Sequence, residues 1–191
     1  WLVGLPNSIT ANVRFGKYHD IDVEDEFSAL MAFENGATGV LTASCGEAPG
    51  VNRIEIVGDR GSLVFEKGVI EVLRSGESVQ SHCRTTHEMF GMPEFEGETI
   101  EMAEETDQHA AVLRNFVDSV ETGSQLLTSG DQGLGSLQLA NGILLSAWTS
   151  GAVTLPIAAN QYEAKLQEKI RGSSLRTPKD LKVEIDMEKS Y

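Results

Sequence analysis

The chain has 191 residues, with 15 Lys and Arg against 29 Asp and Glu and a formal net charge of −14. Phosphate backbones are held by clustered cations, and no run of three basic residues occurs, so neither nucleic acid nor an anionic membrane surface is expected as a partner. At 40% hydrophobic and 23% charged residues the composition suits one globular domain with a short appendage; Cys45 and Cys83 form neither a disulfide framework nor a metal-ligand spacing, and with no export signal or membrane-spanning stretch a reducing, cytoplasmic location is expected.

The opening Trp1-Leu2-Val3-Gly4-Leu5-Pro6 reads as the end of a helix whose beginning is missing, which predicts that the natural polypeptide continues upstream. Ser8–Phe15 alternates, with Ile9, Ala11, Val13 and Phe15 on one face, and predicts a half-buried strand. After an acidic turn, Glu26–Phe33 places Phe27, Ala29, Met31 and Phe33 together; Asn35-Gly36 supplies a tight hairpin turn, and Thr38–Cys45 returns. Strands over Asn52–Val57, Ser62–Phe65, Val69–Arg74 and Ser78–Cys83 follow, separated by glycine turns.

Residues 85–106 lack a period and are rich in Glu, which predicts a long acidic loop that is either a solvated segment or a lid. Helices are expected over Asp107–Glu121, with the stripe Leu113, Phe116, Val117 and Val120 and Gly123 as its cap, and from Asp131 to Gly151. The stripe of that second helix is read as Leu134, Leu137, Asn141, Leu144 and Trp148, broadened by Gln138 and Leu145. A short extended Val153–Pro156 and a polar helix Gln161–Arg171 follow, and 172–191 reads as a charged tail with one strand at Leu181–Ile185. Strands first and helices afterwards predict an α+β domain over 1–171: a large, mostly antiparallel, open-faced sheet with its helices on one face.

The other face carries Ser28, Leu30 and Ala32 on one strand and small or apolar residues on the next, where a solvated face would carry Lys, Glu and Arg. A second copy of the chain is its expected cover, giving a homo-oligomer; a face merely rich in small residues is the plainer alternative.

Chemistry-bearing motifs are scarce. Gly133-Leu134-Gly135 lacks the third glycine of a dinucleotide cradle and falls within a helix rather than after a strand, and no GxSxG, HExxH or phosphate loop ending in Lys-Ser or Lys-Thr occurs. His82, Cys83, His87 and Glu88 are the nearest approach to a metal site, but on a strand His82 and Cys83 would point apart. Cys45, aligned with Leu41 and Ala43, reads as a core thiol; His109 reads as a solvated or capping group; Asn141 and Gln138 would line a pocket or satisfy backbone.

The ordered set Trp1–Pro6, Phe33-Glu34-Asn35-Gly36-Ala37-Thr38-Gly39, Asn52–Leu63, Phe116-Val117-Asp118 with Gly123, Ser129–Leu134, Ser146 and Val153-Thr154-Leu155-Pro156 resembles the carboxy-terminal domain of the glucose-fructose oxidoreductase/inositol dehydrogenase/MocA (Gfo/Idh/MocA) family. The resemblance implies an NAD(P)-dependent oxidoreductase acting on a small sugar, inositol or other polyol, of which this chain is the substrate-pocket and oligomerisation domain. It also implies that the Rossmann domain, the Glu-Lys-Pro lysine and the Asp/His pair lie upstream, so no catalytic, cofactor-binding or metal-binding residue is carried onto this chain, which would bind neither NAD nor NADP alone and be inactive alone. The loop Pro49, Gly50, Val51, Asn52, with Arg53, is implied to face the substrate; the plainer reading is that Asn52 and Arg53 begin a strand. A non-enzymatic assembly module that kept the sheet and lost the chemistry is the alternative, and a metal-binding role through His82, His87 and the acidic loop is a third.

Overall fold

The computed structural model describes residues 2–102 and 108–173, and these divide into two compact units, one running to residue 46 and resuming at 130, the other spanning 47–129. The first unit is built on β1 (Ser8–Phe15), β2 (Glu24–Ala32), β3 (Thr38–Ser44) and the short β8 (Val153–Thr154), arranged β3-β2-β1-β8 and antiparallel throughout. The second holds β4 (Arg53–Gly58), β5 (Gly61–Glu66), β6 (Val69–Ser75) and β7 (Phe95–Glu101) in simple meander order. The α+β, antiparallel expectation is borne out, with the strands distributed over two four-stranded sheets.

In the first unit the period-two pattern becomes a division of faces. Ile9 is paired across from Met31, Ala11 from Ala29 and Val13 from Phe27, and helix α3 (Gly133–Thr149) packs on that side. Ile9, Val13, Ala29, Ile143, Leu145, Val153, Leu155 and Ile157 form the buried core, with Trp148 of α3 stacked on Tyr162 of α4 (Ala159–Gly172) at 5.6 Å. The buried side of α3 is Gly142, Ile143, Leu145 and Ser146; Leu134 and Leu137, expected on its inner stripe, are 60% and 56% exposed. The helix is apolar nearly all round, so its periodicity does not fix its rotation; the fit of Gly142 against Ile9 and Leu155 does.

The helix is keyed to the sheet by one hydroxyl. Ser146, fully buried, accepts a hydrogen bond from the Ala11 N–H at 2.8 Å and donates to the Gly151 carbonyl at 2.7 Å. Strand β8 pairs β1 only at Ser8 and Ile9, so Ala11 is the position where a strand partner runs out and a side chain takes its place. Ser150 then closes α3 in the left-handed conformation, a role expected of Gly151.

The hairpin between β2 and β3 is a three-residue loop rather than a two-residue one: Phe33 pairs with Ala37, the Gly36 N–H reaches the Phe33 carbonyl at 3.0 Å, and only Gly36 has positive φ. The β1–β2 connection folds around Asp25, a buried carboxylate that accepts the backbone N–H groups of Lys17 (3.0 Å), Tyr18 (2.7 Å) and His19 (3.2 Å). Burial pushes the Asp25 carboxyl up, but the three backbone donors together with His19 outweigh it and hold it below its ordinary value.

Three expectations are corrected. Ser78–Cys83 is not a strand: α1 (Val79–Thr85) starts there, capped by Ser78, whose hydroxyl accepts the Ser81 N–H, and by Asp59 of the β4–β5 turn, which accepts the Gln80 N–H at 2.9 Å. The acidic segment is not loop throughout, because 95–101 form β7; its exposed, Glu-rich side chains suit a sheet edge and hide the strand period. Cys45 is exposed and not core, since it lies past the end of β3. Helix α2 (Gln108–Thr122) forms as expected and ends at Gly123 with positive φ, its stripe Leu113, Phe116, Val117 and Val120 exposed; its expected first residue, Asp107, and the tail strand at 181–185 lie outside the described residues.

Replacing Ser146 by Ala leaves the half-buried Ala11 N–H and Gly151 carbonyl without their partner and is expected to cost about 1–3 kcal/mol in urea unfolding; a loss under about 0.5 kcal/mol would show that the hydroxyl does not key α3 to β1. Because the Asp25 carboxyl is held low, the stability it contributes is present above the unfolded-state value, near pH 4, and is lost as pH falls through the lower folded value. Asp25→Asn should therefore lower Tm at pH 7 and flatten the decline of Tm with acid; parallel pH profiles for the two proteins would contradict this.

Candidate functional site

The loop expected to face a substrate does line a concavity. Pro49, Gly50, Val51 and Asn52 form one wall of a cleft of about 380 Å³ in the second unit, and Phe65, Glu66, Lys67 and Gly68 form the other. The second wall comes from the end of β5 and the two-residue turn into β6, in which Lys67 (φ 52°) and Gly68 (φ 76°) both take left-handed conformations.

Arg53 is not on this cleft. It opens β4, where its guanidinium donates to Glu55 and Glu66, each at 2.9 Å, and these hydrogen bonds, to Glu55 first and then Glu66, raise its pKa. It borders a shallower hollow with Val64, Val69 and Glu71, sharing Glu66 and Lys67 with the cleft. The structure thus brings four of the five expected residues to one concavity and gives the fifth to an ion-paired trio beside it. Sequence reading did not find the wall Phe65–Gly68; its signal was Lys67-Gly68 standing between two strands.

The cleft combines the apolar side chains of Phe65, Pro49 and Val51 with the polar residues Asn52 and Lys67, the pattern of a small polar ligand held by a few directed groups. Among the described residues neither Asn52 nor Lys67 has a protein hydrogen-bond partner, so their polar ends are available.

The remaining candidates fall into structural roles. His82 and Cys83 stand on α1, where His82 Nδ1 lies 2.9 Å from Glu77 Oε1, and the described residues contain no group of three His, Cys, Asp or Glu placed to hold a metal ion. Gln138 satisfies backbone, accepting the Ile157 N–H at 2.8 Å. That bond also decides the dinucleotide question: Gln138 occupies the third position of the Gly133-x-Gly135-x-x pattern with its amide already engaged, and the segment follows a 3-10 turn (Gly130–Gln132), not a strand. These residues do not fit a nicotinamide dinucleotide.

The second candidate surface is the outer face of β1–β3. Thr10, Leu30 and Val40 form one cross-strand row and Asn12, Ser28 and Thr42 the next; Leu30 is 62% and Val40 70% exposed. The charged pair Arg14 and Glu26 lies only at the end of the face, next to Ser44.

Residues 1–64 match the family model described as GFO/IDH/MocA C-terminal domain. Among solved structures, the WlbA dehydrogenase from Bordetella pertussis, in complex with NADH and UDP-GlcNAcA, is 22% identical over 83% of this chain and 41% of its own, with a TM-score of 0.57. Levoglucosan dehydrogenase, in complex with NADH and levoglucosan, is 18% identical over 82% of this chain and 47% of its own (TM-score 0.60), and the UDP-N-acetylglucosamine 3-dehydrogenase GnnA from Acidithiobacillus ferrooxidans is 18% identical over 75% and 42% (TM-score 0.57). The chain spans less than half the length of these proteins, and no curated protein sequence matches it. The resemblance read from the sequence holds in this sense: residues 1–64 match the GFO/IDH/MocA C-terminal domain, and the fold is shared with these dehydrogenases across most of the chain.

Proposed function

We propose that this chain is the substrate-pocket and oligomerisation domain of an NAD(P)-dependent oxidoreductase acting on a sugar or polyol in the cytoplasm. Residues 1–171 act as the domain and 172–191 as its charged tail. Hydride transfer needs a nicotinamide and a proton shuttle within contact distance of one hydroxyl-bearing carbon. Both belong to a Rossmann domain on the same polypeptide, and the chain by itself binds neither NAD nor NADP and turns over no substrate. Its own contribution is the cleft wall Pro49–Asn52 with Arg53 beside it, and a surface that joins subunits.

The observation that carries this reading is the outer face of β1–β3. A sheet face bearing Leu30 and Val40 among Thr, Ser, Asn and Ala has no charged residue in its central rows. Burying two such aliphatic side chains per subunit contributes about 2 kcal/mol each, and small neighbours let two sheets approach closely. A two-fold arrangement would place each copy's face on the other's. The shared fold agrees in kind, since two of the structures carrying it hold NADH together with a sugar ligand.

Light scattering after size exclusion is expected to give a dimer or larger assembly, and Leu30→Lys with Thr42→Lys, which sets like charges across the joint, should weaken association at least tenfold. Equal masses for parent and double variant at every concentration would remove this face from the interface, and a parent that stays monomeric would contradict the oligomerisation role.

A further inference from the structure

We infer that the cleft between residues 49–52 and the β5–β6 turn holds a sugar through an acidic substituent, a carboxylate or a phosphate, with the Lys67 ammonium as its counter-ion. The inference rests on the reading of that cleft as the sugar-facing wall, and adds the ligand's charge to it.

Three observations converge on Lys67. The first is conformational: among the described non-glycine residues only Lys67 and Ser150 have positive φ, and Ser150 is accounted for as the cap of α3. The first position of such a two-residue turn is normally Gly, Asn or Asp; a lysine there is held against local preference, and its side chain supplies the reason. The second is charge pairing. In the same unit Arg53 is bonded to Glu55 and Glu66, Arg74 to Glu98, and Arg60 to the Gly76 carbonyl, whereas exposed Lys67, like Arg84, has no hydrogen bond or ion pair among the described residues although the chain carries a net −14. The nearest carboxylate along the chain, Glu66, already gives its Oε2 to Arg53.

The third is placement. Lys67, Asn52 and Phe65 line one concavity. An ammonium meets an anion, an amide bonds hydroxyls as donor or acceptor, and an aromatic ring covers the apolar C–H face of a sugar ring. Neutral sugars would use only the last two. A carboxylate and a phosphate share the chemistry that Lys67 recognises, and the ligand's own geometry separates them.

The test is a titration of the ¹⁵N-labelled chain with D-glucuronate, D-glucose 6-phosphate, D-glucose, acetate and inorganic phosphate, followed at the Asn52 and Gly68 amides. At least one acidic sugar is expected to shift these amides saturably with a Kd at least tenfold below that of glucose, and the tighter of the two identifies the substituent. Lys67→Asn, which suits the positive φ and keeps the turn, should bring the acidic sugars to the level of glucose, and Lys67→Arg should restore their advantage. Equal binding of all three sugars would overturn the inference while leaving the sugar-facing reading intact. Acetate or phosphate binding as tightly as the acidic sugars would overturn it by showing an anion site without sugar recognition, and no shift with any ligand would overturn both.

Discussion

Everything in the first unit depends on how β1 is held along both of its edges. On one edge it has β2 for its full length; on the other, β8 covers only Ser8 and Ile9, and the ladder would end in a half-buried, unsatisfied N–H at Ala11. Ser146 supplies the missing acceptor from within α3, and its own proton goes to Gly151 in the turn that leads into β8. One hydroxyl therefore couples the central strand, the covering helix and the return of the chain. The core residues Ile9, Ile143, Leu145 and Val153 lie around this junction, so apolar packing and hydrogen bonding fix the same rotation of α3.

That rotation has a functional consequence. With α3 keyed to the side of β1–β3 that carries Ile9, Ala11 and Val13, the opposite side carries exposed Leu30 and Val40 among the described residues, and its small and aliphatic rows become the surface on which the oligomerisation reading stands. The second unit does different work. Its meander delivers a two-residue turn to the same cleft as the 49–52 loop, and the Arg53 trio anchors the start of β4 next to it. One sheet thus carries a surface and the other a concavity, in a chain whose Gly133–Gln138 segment cannot cradle a dinucleotide.

The first unit was largely legible in the sequence, because β1 and β2 are buried on one face only and write that fact as strict alternation. The match of Ser8–Phe15 and the inward set Phe27, Ala29 and Met31 follow from it. Where burial is two-sided or absent, the signal fails for opposite reasons. Helix α3 is apolar on most sides, so Leu134 and Leu137 look as inward as Ile143 and are not. Strand β7 is exposed on every side, so Glu96, Glu98 and Glu101 look like loop. Helix α1 was hidden because its cap includes Asp59, some twenty positions earlier in the chain. Four residues of the cleft were reached through family resemblance and not through periodicity, while Lys67 escaped notice because what sets it apart is a backbone angle and an unpaired charge, neither of which a residue type declares.

The central claim is that the outer face of β1–β3 is buried by another copy of the chain. It is tested most directly by placing a thiol there: Val40→Cys in a background with the exposed Cys45 and Cys83 replaced by Ser, with alkylation rate measured across protein concentration. The account predicts fast modification when dilute and progressive protection as the chain associates, with a thiol at exposed Glu34, outside the central rows, showing no such change. A Val40→Cys rate independent of concentration, in protein that light scattering shows to be assembled, would contradict it.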